Sequence, residues 1–86
     1  MKPSEVAKLA LETFREIQGQ QTVSEVLVEA IEAPAKRNEE WHVTIGYSPS
    51  REVLGVPVSG MRMRSVIRLT KDGAFLGMSR VERNNL

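Results

Sequence analysis

The 86-residue chain contains no cysteine, which excludes disulfide bonds and thiolate metal sites. His42 is the single histidine, so one chain cannot build a site from two histidines. No serine stands in a Gly-x-Ser-x-Gly turn, and the glycines form neither a GxGxxG pattern nor a phosphate-binding loop. Glu39 and Glu40 adjoin each other without an evident partner to separate their pKa values. The sequence therefore predicts a protein that is not an enzyme and uses no metal or cofactor.

Long apolar runs and aromatic side chains are also scarce. No run approaches the roughly 18 apolar residues of a membrane-spanning helix. The segment MKPSEVAKLALETF carries charges among its apolar positions, unlike a signal peptide. We therefore expect a cytoplasmic protein without membrane contact. Aromatic residues make up 5% of the chain, so a core must draw mainly on aliphatic side chains and methionine. The length suits one small domain, 1–86.

Charge is nearly balanced overall but unevenly distributed. The net charge is +1. Up to Ala33 the chain has three Lys or Arg and six Glu. From Pro34 onward it has nine Lys or Arg and five acidic residues. These two halves can neutralise each other in the folded chain, or they can leave a basic face for a partner.

The N-terminal segment predicts a helix over about residues 4–18. Ser4 is expected to be its N-cap, and Gly19 can take the left-handed conformation that ends a helix. Apolar residues recur at three- and four-residue spacing, which indicates one buried stripe. The stripe comprises Val6, Leu9, Ala10, Thr13, Phe14 and Ile17.

Residues 22–33 are compatible with a helix or a strand. A helix would place Val23, Val26, Leu27, Ala30 and Ile31 on one face. A strand would place Val26, Val28 and Ala30 opposite Glu25, Leu27, Glu29 and Ile31. Three valines within six residues favour a strand, over about 23–32, because β-branched side chains lose rotamer freedom in helices.

Two later segments alternate clearly and predict strands. Residues 41–47 place Trp41, Val43, Ile45 and Tyr47 on a core face, with His42, Thr44 and Gly46 outside. His42 is therefore expected to be a solvated surface residue. Residues 61–70 place Met61, Met63, Ser65, Ile67 and Leu69 inside and Arg62, Arg64, Val66, Arg68 and Thr70 outside. The Asp72-Gly73 pair predicts a hairpin turn into a last strand over about 75–82.

These elements predict an α+β fold, with one N-terminal amphipathic helix packed on a four-stranded antiparallel sheet. The element order is helix, strand, strand, long loop, strand, strand. Residues 48–60 form the predicted long loop, since they include two prolines and two glycines. They also include apolar side chains, namely Val53, Leu54, Val56 and Val58. An extended hairpin arm with Pro57 at an edge is the alternative to a loop.

Two groups of residues are candidate binding sites. Arg62, Arg64 and Arg68 share one strand face, and Arg80 and Arg83 follow in or just beyond the next strand. They can pair with Glu25, Glu29, Glu32 or Glu82 across strands, or they can bind an acidic protein or a nucleic acid. Nucleic-acid binding is the less favoured of these because no aromatic residue stands between the arginines to stack on bases.

The apolar residues of the predicted loop form the second candidate. Val53, Leu54, Val56 and Val58 either close the end of the core or recruit another chain, by strand addition or homodimerisation.

The runs WHVTIGYS and VIRLTKDGAFLGMSRVER resemble the gas vesicle protein O family and, more loosely, PepSY-type and cystatin-like domains. Those families combine an N-terminal helix, a Trp-x-Val-Thr strand, and a strand ending in an acidic residue and glycine before a basic strand. The resemblance implies an accessory, protein-binding role without catalysis. The predicted long loop departs from the gas vesicle pattern, and PepSY-type domains are commonly exported. Matching positions are Trp41, Val43, Thr44, Val66, Leu69, Asp72, Gly73, Leu76, Arg80 and Arg83.

These observations favour a non-enzymatic accessory module that binds another protein. The apolar segment Val53–Val58 would supply the anchor, and the arginine face would supply electrostatic complementarity. We expect a protein partner of acidic character, with a homodimer as one form of it, and no small-molecule substrate. A nucleic-acid-binding module is the alternative.

Overall fold

The computed structural model describes residues 1–19, 23–36, 39–59 and 62–81. Strands β1, β2, β4 and β5 form an antiparallel four-stranded sheet in that order, and β3 pairs with the far end of β2. The predicted α+β class, with one N-terminal helix on a four-stranded antiparallel sheet, is confirmed. The elements are α1 (Pro3–Gln18), β1 (Val23–Glu32), β2 (Glu40–Val53), β3 (Val56–Ser59), β4 (Met63–Thr70) and β5 (Phe75–Arg80).

Helix α1 begins one residue earlier than predicted. Lys2 is the N-cap and Pro3 occupies the first helical position, so Ser4 is not the cap. Proline suits that position because its missing N–H would have no partner inside the helix and its φ is already helical. The Glu5 carboxylate accepts a hydrogen bond of 3.3 Å from the Lys2 backbone N–H. Gly19 ends the helix, as predicted, with a positive φ of +59°, but its ψ of −120° differs from the predicted left-handed helical conformation. In the described residues, no helix is long and apolar enough to cross a membrane.

The core lies between α1 and one face of the sheet. Val6, Ala10 and Phe14 of the predicted stripe are buried, whereas Ile17, one turn further, is largely exposed. The Phe14 and Tyr47 rings are tilted at 50°, with centroids 4.9 Å apart. The predicted core face of β2 is confirmed, and so is that of β4 from Ser65 onward, while Met63 is partly buried. The buried residues are Trp41, Val43, Ile45, Tyr47, Ser65, Ile67 and Leu69.

Strand β1 contains two bulges, which explain its ambiguous sequence pattern. Its pairing with β2 gains one extra residue between Ser24 and Leu27 and another between Val28 and Ala30. Glu25, inside the first bulge, has a φ of +53°. Each extra residue shifts the alternation by one. The β1 residues on the core side are therefore spaced by three, two and three positions, a pattern that resembles the period of a helix. These residues are Val23, Val26, Val28 and Ile31.

The hairpin between β4 and β5 forms where the Asp72-Gly73 pair predicts it. The Gly73 N–H donates to the Thr70 carbonyl at 2.9 Å, and the Thr70 N–H donates to the Ala74 carbonyl at 2.8 Å. Gly73 has a φ of +92°. A turn closed by a residue with positive φ is a common three-residue hairpin connection. Met61 and Glu82, at the predicted ends of these strands, lie outside the described residues.

Residues 48–59 do not form the predicted long loop, and Gly60 lies outside the described residues. Strand β2 continues to Val53, a two-residue turn follows at Leu54 and Gly55, and β3 runs back alongside β2. The segment is thus an extended hairpin, the alternative considered above. The prolines and glycines favoured a loop in the prediction, but Pro57 is compatible with β3 because its nitrogen faces away from the paired strand.

Candidate functional site

The hairpin formed by residues 50–59, which we call the arm, extends beyond the four-stranded sheet. Pairing of β2 with β1 ends at Pro49, and pairing of β2 with β4 ends at Tyr47. Beyond these points β2 pairs with β3. The radius of gyration is 14.3 Å, with extents of 50 × 32 × 18 Å. A compact domain of this length would have a radius of about 12 Å, so the arm makes the molecule elongated.

Leu54 stands at the tip of the arm in an unusual environment. Its φ is +52° and the φ of Gly55 is +77°. Two positive values match a type I′ turn, which favours Asn-Gly or Gly-Gly rather than Leu-Gly. A left-handed conformation costs an ordinary residue about 1–2 kcal/mol. The side chain of Leu54 is also 99% exposed. Leu54 is thus unfavourable at this position in both conformation and solvation.

The arm carries a second exposed apolar residue. Its backbone pairs in register, with Arg51 opposite Val58 and Val53 opposite Val56. Val56, two residues after Leu54, is 60% exposed. Leu54 and Val56 therefore place two exposed apolar side chains at the end of the arm.

Pro57 makes the outer edge of the arm a poor template for strand addition. A two-residue turn is closed by a hydrogen-bonded pair, here Val53 and Val56. The next pair, Glu52 and Pro57, consequently does not exchange hydrogen bonds across the ribbon, and the nitrogen of residue 57 faces outward. Proline has no N–H to offer an added strand. Strand addition along the β3 edge is therefore less favourable than contact through the tip of the arm.

The arginine face of β4 forms ion pairs with neighbouring strands. Glu29 lies between two arginines, with 3.1 Å from its Oε1 to Nε of Arg64 and 3.4 Å from its Oε2 to Nε of Arg62. Arg62 also donates to the Glu25 carbonyl at 3.0 Å. The Glu29 carboxylate lies directly over Gly46, which has no side chain to exclude it. The predicted cross-strand pairing with Glu25 and Glu29 is present.

Arg68 belongs to a second charged group on the same face. Its Nη1 lies 3.5 Å from Oε2 of Glu40, and that oxygen is 3.0 Å from Nε2 of His42. The Nδ1 of His42 lies 3.8 Å from the Glu32 carboxylate. The sequence missed Glu40 as a partner because the predicted strand begins at residue 41, whereas β2 begins at Glu40. His42 is half-buried rather than fully solvated.

These contacts change the electrostatic character of the face. Three arginines stand beside four glutamates, namely Glu25, Glu29, Glu32 and Glu40. The face is therefore not strongly basic. An open depression of about 600 Å³ beside it is lined by Glu25, Leu27, Glu29 and Arg62. Among the residues that the structure describes, no cluster of acidic, histidine or cysteine residues could hold a metal ion.

The candidate residues therefore fall into two separate regions. Leu54 and Val56 lie on the arm, and the backbones of Val53 and Val58 pair there as well. The arginines Arg62, Arg64 and Arg68 lie on the helix-free face of the sheet and contact carboxylates. Arg80 lies on the neighbouring strand, as predicted, and its pairing with Ser65 places it on the helix-covered side of β5. Arg83 lies outside the described residues.

No family model matches the chain, and no curated protein or solved structure matches it either. The resemblance to the gas vesicle protein O family and to PepSY-type and cystatin-like domains therefore stays a prediction.

Proposed function

We propose that this chain is a non-enzymatic accessory module that binds another protein through the arm. The observation that carries the proposal is Leu54, an apolar residue at a turn position that favours asparagine, with its side chain 99% exposed. Burying a leucine fully is worth about 1.5–3 kcal/mol. That corresponds to about a tenfold to hundredfold gain in affinity from one side chain.

A ribbon that protrudes on its own also favours a partner. Two isolated strands are marginally stable in water, and they gain stability from a third strand or from packing against another surface. The residues of the arm beyond Pro49 pair with one another rather than with β1 or β4. A partner that packs on Val56 and Leu54 would supply the missing packing. Pro57 makes strand addition along the β3 edge the less favourable mode.

The arginine face has a secondary role in this proposal. Arg62, Arg64 and Arg68 already contact glutamates, so they add electrostatic complementarity at the rim of an interface rather than its anchor. The same pairing weakens the case for a nucleic-acid-binding module, because phosphate groups would have to replace the glutamates that the arginines already contact. We also propose a cytoplasmic location. The chain contains no cysteine, so its folding needs no oxidising compartment.

Capture from an extract of the source cells tests the proposal. Tagged wild-type chain is compared with Leu54→Asp, and bound proteins are quantified by mass spectrometry. Leu27→Asp is the matched control, because Leu27 is also an exposed leucine but lies on the sheet, away from the arm. We expect one or a few proteins to be enriched by the wild type and the control and lost with Leu54→Asp. Equal enrichment by all three chains contradicts an anchor at Leu54.

Light scattering of the isolated chain distinguishes a homodimer from another partner. A dimer that Leu54→Asp converts to a monomer assigns the arm to a second copy. A monomer at all concentrations assigns it to a different protein.

A further inference from the structure

A second surface, independent of the arm, lies on the helix-covered side of the sheet. Helix α1 packs against β1, β2 and β4, most closely against β2. On β5, residues Phe75, Met78 and Arg80 pair with Leu69, Ile67 and Ser65, all of which are buried beneath α1. These β5 residues therefore face the same side as α1 but lie beyond its main area of contact.

The apolar part of this surface is incompletely covered. Phe75 is 49% exposed, and Met78 is partly buried against the core. Leu9 of α1 is also partly buried, and its Cδ2 approaches Gly73 in the turn that leads into β5. Phe75 and Met78 thus form an incompletely covered apolar surface of β5 beside α1, and Met1 and Leu9 lie next to the Gly73 turn at its start. We call this the β5 groove.

The dimensions of the β5 groove match one further helix. Neighbouring strands lie about 4.8 Å apart, so β5 lies about 10 Å from β2, over which α1 is centred. Packed helices have axes about 8–10 Å apart. A helix packed against α1 would therefore lie directly over β5, and it would bury Phe75 and Met78.

Arg80 indicates that the helix would carry a negative charge at this point. Its Nη2 lies 3.6 Å from the sulfur of Met63, and among the described residues no carboxylate lies within ion-pairing distance of it. This differs from the arginines of the opposite face, each of which contacts a glutamate. A carboxylate on the incoming helix would give Arg80 a partner at the edge of an apolar contact.

Helix α1 of a second copy does not fit this description. Its apolar stripe, including Val6 and Phe14, is already buried on its own sheet. Its opposite side carries polar and charged residues, among them Lys8, Glu12 and Arg15. That side has no apolar stripe to place on Phe75 and Met78.

We propose that the β5 groove binds an amphipathic helix of a partner protein, with the apolar stripe of that helix on Phe75 and Met78 and an acidic residue at Arg80. The proposal does not depend on the arm. It adds a second contact surface at the β5 edge of the sheet, which lies opposite the β1 edge.

A designed peptide tests the proposal. The probe is an 18-residue helical peptide with leucines at i, i+3, i+4 and i+7 spacing and glutamates beside them, titrated into ¹⁵N-labelled protein. We expect saturable shifts at Phe75, Met78 and Arg80 and in α1. Phe75→Ser should weaken binding about tenfold, because half of that side chain remains to be buried. Leu27→Ser, on the opposite face, is the matched control and should leave binding unchanged.

A charge exchange tests the role of Arg80. Arg80→Glu should weaken binding of the glutamate peptide several-fold and strengthen binding of a peptide with lysines in place of the glutamates. Amide spectra of each variant show whether it is folded. Absence of saturable binding, shifts confined to the helix-free face, or equal losses with Phe75→Ser and Leu27→Ser would each overturn the proposal. Self-association that Phe75→Ser abolishes would also overturn it, since a second copy would then occupy the groove.

Discussion

The Glu29 carboxylate lies over the Cα of Gly46, in the space that a side chain at position 46 would occupy. From this position Glu29 reaches Arg62 and Arg64 together. A bulge in β1 places Glu29 there, because the extra residue between Val28 and Ala30 interrupts the alternation. A glycine on one strand and a bulge on its neighbour thus create the site for the ion pairs of this face.

This relationship predicts coupling between Gly46 and Glu29. Gly46→Ala should lower the free energy of unfolding by about 1 kcal/mol, because its methyl group displaces a carboxylate that binds two arginines. In a Glu29→Ala background the same change should be neutral or stabilising, since alanine reduces the entropy of the unfolded chain. Urea denaturation of the four chains measures the coupling. Additive effects would contradict the close approach.

Gly77→Ala provides a control for that cycle. A Cβ at position 77 would lie 3.1 Å from Nη2 of Arg68, the mobile end of a long side chain. We expect a smaller loss of stability than for Gly46→Ala in the wild-type background.

The buried hydroxyl pair of Tyr47 and Ser65 gives a second prediction. Their oxygens are 3.3 Å apart, and both residues are buried. Tyr47→Phe should cost about 1 kcal/mol, because the Ser65 hydroxyl loses this partner inside the core. The double variant Tyr47→Phe with Ser65→Ala should cost less than the two single changes added together. Thermal and urea unfolding measure this difference, and strict additivity would show that the two hydroxyls do not interact.

Polyanion binding gives a third prediction. Because the arginine face carries four glutamates beside three arginines, single-stranded DNA should bind weakly even at low salt, without the steep salt dependence of a basic groove. Fluorescence polarisation with a labelled oligonucleotide measures this. Tight binding that Arg64→Glu and Arg68→Glu abolish would instead support the nucleic-acid alternative.

Local patterns predicted most of the fold correctly. Strands β2 and β4 alternate without interruption through the sheet, so the buried faces around Ile45 and Ile67 follow from the sequence. The Asp72-Gly73 pair has a strong local preference for a hairpin turn. Strand β1 was harder to predict, because its two bulges give its apolar positions a helix-like spacing. Bulges depend on pairing with β2, which no local pattern specifies.

The candidate site was only partly predictable. The apolar residues around Leu54 marked the segment as unusual, but prolines and glycines favoured a loop over the arm that forms. The arginines were found by alternation, whereas the pairing of Arg68 with Glu40 required knowing where β2 begins. Arg80 lies on the neighbouring strand, as predicted, but its face depends on the register of β5, which the sequence pattern does not specify. The groove over β5 depends on the position of α1, which is a tertiary property.

Substitution of Leu54 by asparagine tests the central claim most directly. Asparagine tolerates the left-handed conformation and is polar, so Leu54→Asn should raise the free energy of unfolding by about 0.5–1 kcal/mol. It should also remove the anchor and lower retention of the partner at least tenfold. Urea unfolding and partner capture on the same preparations give both values. Increased stability with lost binding is the predicted result. A variant that unfolds more easily, or that retains its partner fully, would contradict the assignment of Leu54 as a binding residue.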